Sequence, residues 1–256
     1  MSSACFYPEI ETENCIPLMK KYGFDIGEIF LNTPSEYEYD FLQIINERKL
    51  ENNFRINSVH AFCAIFEPFL FDRYERRRKD MFYYFRSVCK ACKQLDAEFY
   101  TFHGMRKLEY ENSDKKFIVE IYNQLTYIAA EEGIKLAQEN VSWCMSSNLD
   151  YLSMVKENCK YPLYFTFDIK QAYKASIEPE KYINIMGKDL VNLHVNDRDI
   201  DHVCMLPGVG EVDYYAISKA LNNVGYKGNA IIEVYRENFN SIKEVIKSKK
   251  LLASIL

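Results

Sequence analysis

The stretch LYFTFD at residues 163–168 is an apolar and aromatic run that ends on a carboxylate. Such a run is typical of a strand buried on both faces, as in a parallel sheet. The pattern recurs along the chain, because an acid or a histidine stands in or at the end of six further strand-like runs: Glu28, His60, His103, Glu139, His194 and Glu233. We therefore expect parallel strands whose ends meet on one face, the face where α/β barrels carry their chemistry.

Strand-like runs alternate with amphipathic stretches over the whole chain. The predicted strands are 2–7, 27–31, 55–61, 98–103, 135–140, 163–168, 190–195 and 230–235. The predicted helices are 12–22, 35–49, 72–95, 114–131, 149–158, 179–186, 214–224 and 240–252. This order predicts the α/β class and a single (β/α)8 TIM barrel domain over residues 1–256. The alternative is an open doubly wound sheet, which would need a Gly-rich loop after the first strand, and CFYPEIE at 5–11 has none.

Composition excludes several classes of protein. With 48% hydrophobic and 27% charged residues, the chain is predicted to form a packed core rather than to be disordered. No apolar run reaches the 18 residues of a membrane span, and MSSACFYPEIE at the start has no basic segment of a signal peptide. The net charge of −5 argues against an extended nucleic-acid surface. We expect a cytoplasmic protein with no membrane partner, and its oligomeric state stays open.

The eight cysteines are predicted to be reduced thiols. Cys89 and Cys92 form a C-x-x-C, but they lie in a helical stretch and no second C-x-x-C or C-x-x-H is near to complete a zinc site. We interpret them as buried or partly buried thiols one helical turn apart. The others are read as small hydrophobic residues: Cys5, Cys15, Cys63, Cys144, Cys159 and Cys204.

Four strand-end residues come from neighbouring predicted strands, the fifth to the eighth. They are Glu139, Asp168, His194 and Glu233. Three carboxylates and one imidazole suit one divalent ion, with Mn²⁺, Mg²⁺ or Co²⁺ favoured and Fe²⁺ or Zn²⁺ also compatible. Singly, each residue could be a solvated acid or a satisfied core histidine. Glu139 and Glu233 lie in or beside apolar runs, where an unpaired carboxylate would be costly to bury, so together the four predict a metal site.

His60 and His103 end the third and fourth predicted strands, on the facing arc of the barrel. They could hold a second metal bridged by Glu139, or they could bind hydroxyls of the substrate. We favour a role in binding the substrate or in positioning the metal ligands.

Several motifs resemble the xylose-isomerase-like TIM barrels. They are AQEN at 137–140, FTFD at 165–168, LHVND at 193–197, PGVGEVDY at 207–214 and IIEV at 231–234, with SVHAF at 58–62 and FHG at 102–104 similar to the superfamily's histidine motifs. The superfamily includes sugar-phosphate isomerases and epimerases, ketose 3-epimerases, inosose dehydratases and apurinic-site endonucleases. The resemblance implies that Glu139, Asp168, His194 and Glu233 hold the divalent metal and that the two glutamates also act as acid and base.

The chain departs from the superfamily pattern at two places. Gln171 stands where a histidine usually follows the strand-six aspartate, and 201–204 reads Asp-His-Val-Cys where the endonucleases carry Asp-x-His. Both departures disfavour a three-metal phosphodiesterase on abasic DNA. We predict these substrate contacts: His60, His103, Gln171, His202, Phe66, Trp143, Gly208 and Gly210. Gly208 and Gly210 could equally form a plain tight turn rather than a phosphate site, and Phe66, Phe69 and Trp143 could equally be packing residues.

The sequence thus predicts a metal-dependent sugar or sugar-phosphate isomerase or epimerase, acting by proton transfer through an ene-diolate. The alternatives are an endonuclease-type phosphodiesterase, a dehydratase of a cyclic polyol, and a non-catalytic carbohydrate sensor. The cluster Arg73, Arg76, Arg77, Arg78 and Lys79 is mixed with acids on one helix, so we expect a solvated outer face rather than a nucleic-acid site.

Overall fold

The computed structural model describes residues 1–62 and 65–256, so Cys63 lies outside the described residues. Within these described residues, seven parallel strands form one sheet in chain order, each paired with the next. Their bounds are β1 (Ile26–Leu31), β2 (Arg55–Ala61), β3 (Phe99–Phe102), β4 (Lys135–Glu139), β5 (Tyr164–Asp168), β6 (Leu190–Val195) and β7 (Asn229–Ile232). The sheet curls into a nearly closed barrel, which confirms the predicted TIM-barrel class.

The seam between β1 and β7 is bridged by the first two residues instead of an eighth strand. The Glu28 N–H donates to the Met1 carbonyl at 3.1 Å, and the Ser2 N–H donates to the Ile232 carbonyl at 2.9 Å. The predicted strand at 2–7 is therefore wrong beyond Ser2, because Ser3–Phe6 forms a 3₁₀ helix. The Ser2 side chain accepts from the Ala4 N–H and caps this turn, which buries Cys5 and Phe6 without extending the sheet.

Helices cover the outside of the barrel. They are α1 (Thr12–Lys21), α2 (Tyr39–Glu51), α3 (Glu75–Gln94), α4 (Lys115–Glu131), α5 (Leu149–Asn158), α6 (Ile169–Lys174), α7 (Pro179–Met186), α8 (Tyr214–Asn223) and α9 (Ile242–Leu252). Eight of them correspond to the predicted helices, with the second beginning later, after a separate 3₁₀ turn at Pro34–Tyr37. The short helix α6 was not predicted, since six residues are too few to show a periodic apolar stripe.

Helix α3 tests two of the sequence interpretations. Cys89 and Cys92 are free and fully buried on its inner face, as predicted. Burial raises the pKa of both thiols, which keeps them protonated. On the outer face, Arg77 and Lys79 pair with nearby acids at 2.6 and 2.9 Å. Arg73, just before α3, pairs with Asp114, the N-cap of α4, at 2.6 Å. Within residues 1–62 and 65–256, no helix is both long enough and apolar enough to span a bilayer.

Candidate functional site

A cavity of about 310 Å³ opens at the carboxyl ends of the strands. This volume lies at the lower end of the range for small-molecule sites. Its described lining is a mixture of aromatic, acidic and basic side chains: Ala4, Tyr7, Phe30, Asn32, His60, Phe62, His103, Glu139, Trp143, Lys170, Gln171, Glu233, Val234 and Tyr235. Two of the four predicted metal ligands, Glu139 and Glu233, line it directly.

The four predicted metal ligands come together at the base of this cavity. Glu139 and Asp168 are the last residues of β4 and β5, His194 lies in β6, and Glu233 directly follows β7. The Nδ1 atom of His194 lies 3.2 Å from Glu233 Oε2, 3.5 Å from Glu139 Oε1 and 3.9 Å from Asp168 Oδ2. One ligand atom from each residue lies within 4.8 Å of all the others, so a single ion could contact all four.

The bonding of these atoms fits a divalent cation. His194 Nδ1 and Asp168 Oδ2 are buried, and neither has a hydrogen-bond partner among the described residues. A buried polar atom without a partner is costly, and three carboxylates brought together repel one another. A cation bound by the imidazole nitrogen and the carboxylate oxygens would remove both costs, and the oxygen-rich donor set is the one that Mn²⁺, Mg²⁺ and Co²⁺ accept.

The other ring nitrogen of His194, Nε2, contacts the carboxylate of Glu28 in the barrel interior. Glu28 Oε2 lies 3.0 Å from His194 Nε2 and also accepts hydrogen bonds from Ser58 Oγ at 2.8 Å and Thr101 Oγ1 at 3.0 Å. The sequence grouped Glu28 with the strand-end acids, but it lies inside β1 and is fully buried in the barrel interior. A carboxylate in this place keeps the proton on Nε2 and turns Nδ1 toward the carboxylates of the centre.

The charge on His194 depends on the same carboxylates. Burial acts to lower the pKa of His194, but the negative charges of Glu233 and Glu28 outweigh it and raise the pKa well above its ordinary value. A histidine binds a metal ion through an unprotonated ring nitrogen, so an ion at Nδ1 would compete with a proton for that atom.

His60 and His103 lie on the other side of Glu139. Their Nε2 atoms are 2.9 Å apart, and Glu139 Oε2 lies 2.9 Å from His103 Nε2 and 3.6 Å from His60 Nε2. Burial acts to lower the pKa of His60, but the hydrogen bond with Glu139 and the surrounding carboxylates raise it to about 9. These three residues also have ligand atoms within 4.8 Å of one another, so both predicted roles, a second ion and substrate binding, are geometrically open.

Glu67 supports this histidine pair and was missed by the sequence reasoning. Its buried carboxylate accepts from Tyr100 Oη at 2.6 Å, from the His103 N–H at 2.8 Å and from the Gly104 N–H at 2.9 Å. It thereby fixes the backbone where β3 ends. No motif marks Glu67, which begins a short 3₁₀ helix at Glu67–Phe71.

Lys170 is a second residue that the sequence did not identify. It is buried at the start of α6, and its Nζ lies 3.5 Å from both Asp168 Oδ2 and Glu233 Oε2. Burial acts to lower the pKa of Lys170, but the charges of Asp168 and Glu233 outweigh it and raise the pKa well above its ordinary value. The ammonium group is therefore a fixed positive charge at the edge of the four-residue centre.

Four of the predicted substrate contacts line the cavity: His60, His103, Gln171 and Trp143. The Trp143 ring is 40% exposed and meets the His103 ring edge to face, with 5.7 Å between the centroids. Gln171 Oε1 accepts from the Ser142 N–H at 3.0 Å, and this bond ties the start of α6 to the loop after β4. These four side chains remain candidates for binding the substrate.

Two further predicted contacts lie elsewhere among the described residues. Phe66 is completely buried and packs beside Tyr84 of α3, with the ring centroids 6.1 Å apart. His202 is exposed, and its Nδ1 lies 2.9 Å from Asp199 Oδ1. Phe69 is 39% exposed and is also outside the described cavity lining. Packing accounts for Phe66 and surface pairing accounts for His202.

The glycine turn after β6 is organised by a buried carboxylate. Asp197 accepts hydrogen bonds from the N–H groups of Arg198 at 2.8 Å, Gly208 at 2.8 Å and Val212 at 3.0 Å. At Gly210, a Cβ would overlap the Arg198 carbonyl oxygen, so the close approach of the two backbones requires glycine. Since the Gly208 N–H donates to Asp197, it is already used within the turn, which favours the plain tight turn at this glycine.

The sequence family follows from a match over nearly the whole chain. The family model described as xylose isomerase-like TIM barrel matches residues 16–255. The chain belongs to this family. An inosose isomerase of Bacillus velezensis is 22% identical over 267 residues, which cover 96% of this chain and 94% of that protein.

Two solved structures share the fold of this chain. The crystal structure of a D-tagatose 3-epimerase-like protein has a TM-score of 0.82 and 20% identity, and it covers 100% of this chain and 95% of its own. The structure of IolI with a bound zinc atom has a TM-score of 0.78 and 16% identity, and it covers 100% of this chain and 98% of its own.

Proposed function

We propose that this protein is a metal-dependent isomerase or epimerase of a small sugar or sugar phosphate, working by proton transfer. One observation carries the proposal. Glu139 and Glu233 are carboxylates that line the same cavity, and they flank His194 at 3.5 and 3.2 Å. The names of the related proteins, an inosose isomerase and a D-tagatose 3-epimerase-like protein, support a sugar substrate.

A divalent cation at Glu139, Asp168, His194 and Glu233 would polarise the substrate carbonyl and make the neighbouring C–H more acidic. Glu139 enters from β4 and Glu233 from the end of β7, so a substrate between them has one carboxylate on each side. One glutamate removes the proton and an ene-diolate forms. Return of a proton by the opposite glutamate inverts the carbon, whereas return to the adjacent carbon gives the isomer.

Other lining residues would bind the rest of the sugar. The imidazoles of His60 and His103 can donate to hydroxyls, and the exposed face of Trp143 can cover the apolar side of a sugar ring. Because Asp197 uses the Gly208 N–H, the proposal places no phosphate at the glycine turn.

The test is turnover of a panel of ketoses and inososes in D₂O by the protein loaded with Mn²⁺, Mg²⁺ or Co²⁺. We expect deuterium at the epimerised or isomerised carbon, detected by NMR. Glu139→Gln and Glu233→Gln should each lose about 10²- to 10⁴-fold in rate, the usual contribution of a positioned acid or base. Glu211→Gln, which changes an exposed acid on the loop after β6, is the matched control and should behave as wild type.

Metal content must be measured for each variant, because both glutamates are also proposed ligands. The decisive variant retains metal and no longer exchanges the proton. Turnover without deuterium incorporation would contradict proton transfer and indicate a hydride shift, in which case the cluster of His60, His103 and Glu139 would hold a second ion.

A further inference from the structure

Lys170 has an unusual position for a lysine. The residue is only 4% exposed, yet it lines the cavity beside Gln171 and Tyr235. Its Nζ lies 5.0 Å from the centre of the Tyr235 ring, a distance typical of a cation–π contact. A buried lysine is rare unless it is paired, so its partners indicate what the charge is for.

Among the described residues, the partners of Lys170 use only part of what its ammonium group can donate. An ammonium group has three N–H donors. Lys170 Nζ donates one long hydrogen bond of 3.5 Å to Glu233 Oε2 and lies 3.5 Å from Asp168 Oδ2, whereas charge-assisted N–H···O bonds are about 2.7–2.9 Å long. The group is therefore close enough to be held electrostatically, and it retains donors for an oxygen atom that enters the cavity.

The position of Lys170 relative to Glu233 indicates which substrate oxygen the ammonium group would contact. A carbon that exchanges a proton with Glu233 must lie within reach of that carboxylate. The ammonium group of Lys170 is 3.5 Å from the same carboxylate, so it lies next to the oxygens carried by the reacting carbons. Such a preorganised charge acts most strongly on the oxygen that becomes negative during the reaction.

We propose that Lys170 is a catalytic residue whose ammonium group donates a hydrogen bond to the substrate oxygen that gains negative charge. In this step the glutamate takes the proton from carbon, the C–H electron pair forms the C=C bond of the ene-diolate, and the carbonyl electron pair moves to oxygen. Lys170 keeps its own proton throughout. This inference rests on the proposed function.

Two measurements distinguish this role from that of a structural ion pair. In Lys170→Met, kcat should fall about 10²- to 10³-fold, the usual loss for one donor to a developing oxyanion, with little change in KM. The affinity for Mn²⁺ should rise about tenfold or more, because a positive charge next to the cation site is removed. If Lys170 only held Asp168 and Glu233 in place, its loss would weaken Mn²⁺ binding instead.

Lys174→Met is the matched control. Lys174 lies one turn further along α6, is exposed, and has its Nζ 3.4 Å from Tyr235 Oη. Its replacement should change neither kcat nor Mn²⁺ affinity. Lys170→Gln retains an N–H donor toward the carboxylates and replaces Lys170→Met if that variant does not fold. We expect it to show the same lower kcat and the same tighter Mn²⁺ binding.

The experiment titrates Mn²⁺ into the metal-stripped full chain by calorimetry and measures kcat and KM in D₂O with the best substrate of the panel. A lower kcat with tighter Mn²⁺ binding supports the proposal. An unchanged kcat, or a kcat and a Mn²⁺ affinity that fall together, overturns it. If the wild type exchanges no proton with any sugar, the proposed function itself fails. If the wild type is active and Lys170→Met is equally active, only the role of Lys170 fails.

Discussion

Replacing Glu28 by glutamine tests whether the carboxylate below His194 tunes the metal centre. The substitution keeps the shape of a side chain that is 0% exposed and removes its negative charge. In the wild type, three donors converge on Oε2, while Oε1 has no hydrogen-bond partner among the described residues. The glutamine amide nitrogen would take the place of either Oε2 or Oε1. In the first place it would face the three donors, and in the second it would have no acceptor among the described residues.

Two consequences can be given a magnitude. Changing the partner of a metal-binding histidine typically costs 10- to 100-fold in metal affinity. That range corresponds to about 1.4 to 2.7 kcal/mol of binding free energy. A buried polar group left without a partner costs about 1–3 kcal/mol of the free energy of unfolding. We therefore expect Glu28→Gln to bind Mn²⁺ more weakly and to unfold more easily.

Glu67→Gln is the matched control for Glu28→Gln. Glu67 is equally buried and also accepts from three donors, but none of these belongs to His194. It should lose a similar amount of stability and retain its Mn²⁺ affinity. The assays are calorimetric titration of Mn²⁺ and denaturant unfolding of the metal-free protein. Glu28→Gln with wild-type affinity, or two variants that lose affinity equally, would refute the reasoning.

Three further outcomes are expected. Asp168→Asn and His194→Ala should each lose most of the bound metal, measured by elemental analysis after dialysis, and wild-type metal content in both would disprove the ligand assignment. The protein should not cleave abasic-site DNA faster than Glu139→Gln in a gel assay, because the sequence lacks the third-metal ligand set, and efficient zinc-dependent cleavage would reverse this ranking. Gly210→Ala should destabilise the fold more than Gly133→Ala, measured by denaturant unfolding. At position 133 an alanine has only the strain of a positive φ of 78°, roughly 1–2 kcal/mol, whereas at position 210 its Cβ would also overlap backbone atoms. Equal losses of stability would contradict the steric argument.

The strands that carry the site could be predicted well because they are continuous buried runs. The bounds of β2 and β6 agree with the prediction at both ends, and β4 and β5 differ from it by one residue at a single end. A parallel barrel strand is buried on both faces, so its composition alone marks it. The ends of these strands then place Glu139, Asp168 and His194 in one cluster.

What could not be predicted depends on contacts between distant segments. The barrel closes at Ser2 only because β1 and β7 lie on either side of it. No local sequence pattern shows that Met1 and Ser2 alone can bridge these two strands. Glu28 and Glu233 look alike in the sequence, yet the first lies inside the barrel and the second at its mouth. Lys170 reads as an ordinary charged residue in the sequence, and only the turn into α6, which Asp168 caps, brings its side chain back toward the cavity.

The buried carboxylate of Asp197 separates the loop after β6 into a base, which it holds directly, and an exposed tip. Its hydrogen bonds hold the two ends of the segment, at Arg198 and at Gly208 to Val212, while Ile200 at the tip is 86% exposed. Mutations and insertions at the tip can therefore accumulate without displacing His194, which lies three residues before Asp197. Loops at this face of a barrel are where new specificities arise, so this clamp makes the segment a region in which the protein can evolve while its reacting centre stays intact.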